Sequence, residues 1–442
     1  MSHFGLLCPP ATGHLNTMLP LGVELQQRGH EVTLCGILDT KPQTIAAGLG
    51  FQGIGESEFP VGITNKKHVQ LGKMNGLAAL RYTINLTKHE MTVFLQEAPS
   101  VIKKAGIEAL LVDQAIQEGR TIAEFLDIPF ISICSALPLN LENSIPPFFT
   151  FWSYNTAWWA RLRNTMGSSL FIRMAQPIQK VINEYRQHWK LPLYFHPNEA
   201  YSKLAQISQS PAEFEFPREA LPKCFHFTGP YHNPAIREPT SFPFEKLTGQ
   251  PLIYASIGTI MGRLMWIFHK IAEACVGLDA QLVISLGGAI SSESLPKLPG
   301  SPLVVGYAPQ LELLKKAALT ITHAGLNTTL ESLSHGVPMV AIPIINDQPG
   351  VGARIVWTGA GEVVPRTRLS VPRLRSVIKQ VMSDESYKNN AFRLQEAIRH
   401  AGGVSRAADI IEQAIATGKQ VLSDANTSSV EAGLPASRAI AL

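Results

Sequence analysis

Two doubly wound α/β halves facing each other across a cleft are the architecture this sequence predicts. Three observations predict it: a strand, helix, strand rhythm in the opening forty residues, a stretch rich in proline and turn formers at 229–250, and the same rhythm restarting at residue 252. The chain of 442 residues has room for two or three cores, and 45% hydrophobic with 16% charged residues excludes disordered and fibrous classes.

Taken in order, residues 3–8 (HFGLLC) read as a buried strand, Pro9 to Gly13 as a tight connection, and 15–28 as a helix with Leu15, Met18, Leu19 and Leu25 at helical spacing. Gly29 ends that helix, and residues 30–38 form a second strand. Further strands are expected at 109–112 and at Phe130–Cys134. The segment 138–217 changes character: Phe148, Phe149, Phe151, Trp152, Tyr154, Trp158 and Trp159 crowd together, with Arg161, Arg163 and Arg173 after them. Helices lining an apolar cleft fit the aromatics; the arginines are a solvated face, or a contact with an anionic membrane surface. After residues 229–250 the strands are expected at Leu252–Ser256, 281–286, Leu303–Val305, 319–322 and 339–344, and three helices from Val371 to about Thr417. The division is therefore 1–228, a linker at 229–250, 251–420, and a flexible tail at 421–442. Gly48, Gly50 and Gly53 match GxGxxG, but they follow helical sequence and lead into a strand, the reverse of a dinucleotide site, so the stretch is read as a loop.

Composition removes several classes of function. Thirty-eight Lys and Arg against thirty-four Asp and Glu leave a formal charge of +4, too small and scattered for nucleic-acid binding. Five separated cysteines without a CxxC suggest neither a disulfide framework nor a thiolate metal site, and reduced buried thiols are expected. The N-terminal MSHFGLLCPP lacks the basic region of a signal peptide, and no apolar run reaches the length of a spanning helix. A cytoplasmic protein is expected, with peripheral membrane contact left open.

Chemistry concentrates where strands end. The strand at 319–322 runs into His323, Ala324 and Gly325, and a helix opens near Asn327 and Thr328. A glycine turn before a helix N-terminus offers free N–H groups to a phosphate, with Asn, Thr and His donors beside them. Glu331, one turn on, can accept from sugar hydroxyls, and Asp347 with Gln348 can hold a second polyhydroxy group. Near the N-terminus, Gly13 and His14 follow the first strand, placing an imidazole base at the cleft. Asp113, closing its own strand, can orient that imidazole or cap the following helix. No DxD triplet or metal-ligand pattern is present, which favours metal-independent chemistry.

The run from Tyr307-Ala308-Pro309-Gln310 through His323-Ala324-Gly325-Leu326-Asn327-Thr328 and Glu331 to Asp347-Gln348 resembles the nucleotide-sugar signature of the family 1, or UDP-, glycosyltransferases. The resemblance implies a GT-B fold of two Rossmann-like domains, with a UDP-sugar as co-substrate and no cofactor. It implies Tyr307 near the uracil, Gln310 near the ribose, and His323, Asn327 and Thr328 on the diphosphate. Glu331 would take ribose hydroxyls, and Asp347 and Gln348 the donor sugar, glucose in the first instance. His14 and Asp113 match the family's catalytic dyad, and Ser256-Ile257-Gly258-Thr259 its loop near the β-phosphate. Tyr307 and Leu326 stand where plant members have Trp, which separates this chain from plant sugar preferences and leaves UDP and dTDP both open.

Residues 135–140 (SALPLN), Ile145 to Phe148, Trp152 and the DQPGV and ARI runs resemble a bacterial subgroup that includes zeaxanthin glucosyltransferases. A lipophilic alcohol is then the expected acceptor, a hydroxylated carotenoid in particular, with Phe148, Phe149 and Trp152 as its lining. Macrolide, polyphenol and sterol hydroxyls are the alternatives within the class. A non-catalytic relative is the alternative outside it, and the presence of His14 speaks against that.

Overall fold

The computed structural model describes residues 1–71, 74, 76–232, 240–258, 264–288 and 297–423. Thr259 and the expected tail from residue 424 onward lie outside them. In the first half, β1 (His3–Leu7), α1 (Thr12–Gln27), β2 (Glu31–Gly36), α2 (Lys41–Ala46) and β3 (Gly50–Gly53) lead through α3 (Ile63–Leu71) and α4 (Gly76–Lys104) to β4 (Ala109–Asp113). Then come α5 (Gly119–Leu126), β5 (Phe130–Cys134), the long α6 (Trp158–His188), β6 (Gln206–Ser208) and β7 (Phe225–Phe227). The second half contains β8 (Leu252–Ser256), α7 (Met265–Cys275), β9 (Gln281–Ser285), β10 (Leu303–Val305), α8 (Gln310–Leu314), β11 (Ala317–Thr322) and α9 (Leu326–Ser334). It continues with β12 (Met339–Ala341), α10 (Gln348–Trp357), β13 (Gly361–Val363), α11 (Val371–Ser383), α12 (Glu385–His400) and α13 (Gly403–Thr417).

Both sheets are parallel, in the orders β3-β2-β1-β4-β5-β6-β7 and β10-β9-β8-β11-β12-β13. Each begins as the doubly wound 3-2-1-4-5 pattern, so the chain departs in opposite directions from β1 and β4, and again from β8 and β11. Crevices open at the carboxyl ends of those two strand pairs. Each central strand is buried on both faces: in β8, Ile253 and Ala255 join one apolar cluster, while Leu252 and Tyr254 join another.

Four expectations change. The GxGxxG stretch is more than a loop, because Gly50–Gly53 forms edge strand β3 beside β2. Helix α1 starts at Thr12, which moves His14 from the connecting turn into the first helical turn. The aromatic segment yields one long helix, α6, instead of several. Helix α13, assigned by sequence to the second half, packs on the first: Ala407, Ala408, Ile410 and Ile411 share a core with Phe4, Leu6, Leu15 and Met18. Arg28 pins it there by ion pairs to Asp409 and Glu412, each at 2.7 Å. The chain beyond it is also held, since the Val421 N–H donates to the Leu204 carbonyl at 2.9 Å.

Candidate active site

The first strand pair builds the side expected to supply a base. His14 lies in the first turn of α1, just after β1, and Asp113 is the last residue of β4, the strand paired with β1. The imidazole Nδ1 and Asp113 Oδ2 are 2.7 Å apart, and Asp113 Oδ1 accepts from the Ala115 N–H at 2.9 Å. The carboxylate is thus tied both to the ring and to the loop after β4. The Asp113 side chain is 2% exposed and that of His14 is 23% exposed, which leaves the ring open to a reactant. Burial by itself would lower the imidazole pKa, but the Asp113 charge and hydrogen bond, with the Asp347 charge, outweigh it, so His14 titrates above its ordinary value. Cys8 nearby is no competing nucleophile, because burial first and Asp113 second drive its thiol pKa well above the usual range.

The second strand pair builds the side expected to hold an anion. Ser256 ends β8 opposite Thr322 of β11, and His323 follows directly. A Cβ on Gly258 would stand 2.8 Å from His323 Nε2, and one on Gly325 only 2.5 Å, so the ring needs a glycine on either side. Ala324 adopts φ 62° and turns the chain into α9, whose N-cap Gly325 supplies no side-chain cap; the first-turn N–H groups are left to an anion. Burial takes the His323 pKa down to about 4, against a smaller opposing pull from the Ser256 backbone. This histidine is therefore neutral near pH 7 and can act as a neutral hydrogen-bond donor.

Gln310 and Glu331, expected near a ribose, are joined: Gln310 Nε2 donates to Glu331 Oε2 at 2.5 Å. Buried Tyr254 donates its hydroxyl to Gln310 Oε1 at 3.0 Å, completing a chain of three. Tyr307 stands 51% exposed at the start of the segment leading into α8. Asp347 lies at the N-cap of α10, with Oδ2 3.4 Å from the Leu137 N–H across the cleft. Burial raises its pKa, opposed by the Leu137 hydrogen bond, His14 and Arg354. The Gln348 carbonyl already accepts from the Ile344 and Ile345 N–H groups at 2.8 and 3.0 Å, so this amide offers a sugar its NH₂ rather than both functions.

Asn327 holds the two halves together. Its Nδ2 donates to the Gly13 carbonyl at 2.7 Å, and its Oδ1 accepts from Gln209 Nε2 at 2.8 Å. Gln209, which also donates to the Ser135 carbonyl at 2.6 Å, follows a three-residue strand and carries no motif. Tyr254 is likewise hidden in sequence as one residue of an apolar strand. A buried ion cluster adds a second joint: Glu215 of the first half accepts from Arg354 of α10 through both oxygens and meets Arg218 Nε at 3.3 Å.

The aromatic residues divide. Phe148 packs on the core beneath α9 and α10, and its carbonyl oxygen lies 2.2 Å from where a Gly350 Cβ would be, a closeness that requires the glycine. Phe149 meets Phe148 edge-on at 5.3 Å. Trp152 is instead taken up by α6, against Gly167 and beneath the Arg163 guanidinium at 4.8 Å. Arg163 is therefore no solvated charge, and Arg161 is paired with Glu219.

The family model "UDP-glucoronosyl and UDP-glucosyl transferase" matches residues 74–403. A zeaxanthin glucosyltransferase of Pantoea ananas is 33% identical over 426 residues, spanning 96% of this chain and 98% of that one. A second, of Pseudescherichia vulneris, is 33% identical and spans 95% of this chain and 100% of its own. Among solved structures, the kitacinnamycin glycosyltransferase superposes with a TM-score of 0.73 at 21% identity, covering 94% of this chain and 99% of that one. The calicheamicin glycosyltransferase gives 0.70 at 19% identity, covering 95% and 99%. Those two establish the GT-B fold, and with the family match over most of its length the chain belongs to the UDP-glucoronosyl and UDP-glucosyl transferases and is a glycosyltransferase enzyme.

Proposed function

We propose that the protein moves a hexose, glucose first, from its UDP conjugate to a hydroxyl of a lipophilic small molecule, with a hydroxylated carotenoid as the leading acceptor. One observation carries the reading: the His14–Asp113 pair and the N-terminus of α9 face one another, linked by the 2.7 Å hydrogen bond from Asn327 to the residue preceding His14. A base and an anion site so close suit a single displacement. The acceptor oxygen attacks the anomeric carbon as His14 takes its proton, while the bond from that carbon to the phosphate oxygen breaks. Asp113 stabilises the imidazolium formed. The negative charge on departing UDP is met by the free N–H groups of α9 and by neutral His323, a preorganised site needing no metal. One displacement inverts the anomeric carbon. Zeaxanthin glucosyltransferases among the relatives support the acceptor class, and the paired rings of Phe148 and Phe149 supply apolar surface for it.

Mass spectrometry of products from UDP-glucose or dTDP-glucose and a pool of lipophilic alcohols tests the reading. The native protein is expected to add a hexose and His14→Ala to lose at least about 100-fold in rate. Equal turnover by His14→Ala would overturn the assignment of the base, and UDP-glucose binding without product would overturn the acceptor class.

A further inference from the structure

An apolar ridge winds along the outward side of α6 for more than four turns. Trp158, Leu162, Met166, Leu170 and Met174 recur every fourth residue, Trp159 stands beside the first, and all six are 36–76% exposed. An uninterrupted exposed stripe of this kind marks an interaction surface. Its charge is one-sided as well: residues 143–183 contain no Asp or Glu but carry Arg161, Arg163, Arg173 and Lys180. Arg161 is neutralised by Glu219, Arg163 lies over Trp152 and Trp159, and Lys180 sits 3.8 Å from Glu184, while Arg173 is exposed beside Met174. Two tryptophans, long aliphatic side chains and the exposed Arg173 suit the interface of an anionic bilayer. Among the described residues no helix is long and apolar enough to cross one, so α6 would lie in its plane.

The stripe is continuous with the cleft. Phe171, between Leu170 and Met174, meets Phe148 edge-on at 5.5 Å and Phe149 at the same distance. Phe148 in turn packs on the apolar cluster that includes Leu137 and, in the first turns of α10, Val351. Aromatic and apolar contacts thus lead from α6 toward the end of the cleft where Asp347 lies.

We propose that α6 docks on the surface of an anionic lipid bilayer, with Trp158 and Trp159 at headgroup level, and that the acceptor reaches the cleft from the bilayer past Phe171, Phe149 and Phe148. The docking surface stands on its own geometry, and the acceptor route rests on the lipophilic acceptor proposed above.

The test is flotation of the full-length protein with vesicles of phosphatidylcholine, alone or mixed with phosphatidylglycerol, with neither substrate present. Binding to the mixed vesicles, weakened by salt and accompanied by a blue shift of tryptophan emission, is expected. The double variant Leu162→Glu/Met166→Glu is expected to lose at least about tenfold in partitioning, since two buried apolar side chains are replaced by charges. Its turnover of detergent-dissolved acceptor should stay within about twofold of native. Protein that stays with the aqueous phase for both vesicle types overturns the docking surface. So does a native dimer, seen by light scattering, that the double variant splits, because the stripe then covers a second copy. Vesicle-bound protein that glycosylates only water-soluble alcohols supports the docking surface and overturns the acceptor route.

Discussion

His14 and His323 show how one residue type is set to opposite tasks by its neighbours. Asp113 and Asp347 hold the first ready to become an imidazolium; burial without a carboxylate keeps the second neutral, with a pKa of about 4. A base must be neutral to act, so kcat/KM is expected to rise with pH through a raised His14 pKa, above the ordinary value of about 6.5. Asp113→Asn removes the charge that favours the imidazolium, and the acid limb should move to lower pH while the plateau falls by about 10²–10⁴. A pH profile of kcat/KM for both proteins checks this; an unmoved limb would mean that Asp113 serves only the loop through Ala115. His14 and Asp113 were legible in sequence because each follows a strand with a chemically apt side chain. Gln209 and Tyr254 were not, since their roles depend on amides brought from residues far away in the chain.

At the scale of the element, the turn from β11 into α9 is closely constrained by its glycines. Gly325 leaves the His323 ring in place and the first N–H groups of α9 uncovered. Gly325→Ala puts a methyl group 2.5 Å from Nε2, so the ring must shift. UDP affinity should drop by about tenfold, with stability lowered by no more than about 1–3 kcal/mol, as for a small overpacking. Calorimetric titration with UDP and thermal melting separate the two effects; unchanged affinity would show that the phosphate does not depend on the ring's position. The long strands β1, β2, β4, β5, β8, β9 and β11 could be read from apolar runs. Of the short strands, β10 and β12 could also be read, being wholly apolar; β3, β6, β7 and β13 could not, because glycine or polar residues interrupt their three or four positions and they owe their pairing to the strand beside them.

At the scale of the whole molecule, Asn327 and Glu215 join the two halves beside an apolar seam in which Leu137 and Phe214 of the first share a cluster with Leu326 and Val351 of the second. Burial would raise the Glu215 pKa, but Arg354 and Arg218 hold it below the usual carboxylate range. Its contribution to stability is therefore present above the ordinary carboxylate pKa and lost as pH falls through the lowered one. Glu215→Ala leaves two guanidinium groups buried without their partner, and an unfolding cost of about 3–5 kcal/mol at neutral pH is expected. Denaturant unfolding of native and variant protein measures it; a loss under about 1 kcal/mol would show that water or another carboxylate takes over the arginines. Helix α13 is a third tie, since it leaves the second half and completes the core of the first.

The sequence by itself determined the two parallel sheets, most of their strands and the placement of His14, Asp113 and His323 near strand ends, because these depend on local apolar patterning and on which side chain stands where a strand stops. The register of the motifs also carried the family. What only the tertiary structure decided is everything resting on residues far apart in the chain: the passage of α13 to the first core, the occupation of the Asn327 amide by Gly13 and Gln209, and the Glu215–Arg354 joint. It also decided that α6 shows an apolar face outward, since a helical period states that one face differs and not which neighbours will cover it. Local pattern sets the elements, and packing sets which of them meet.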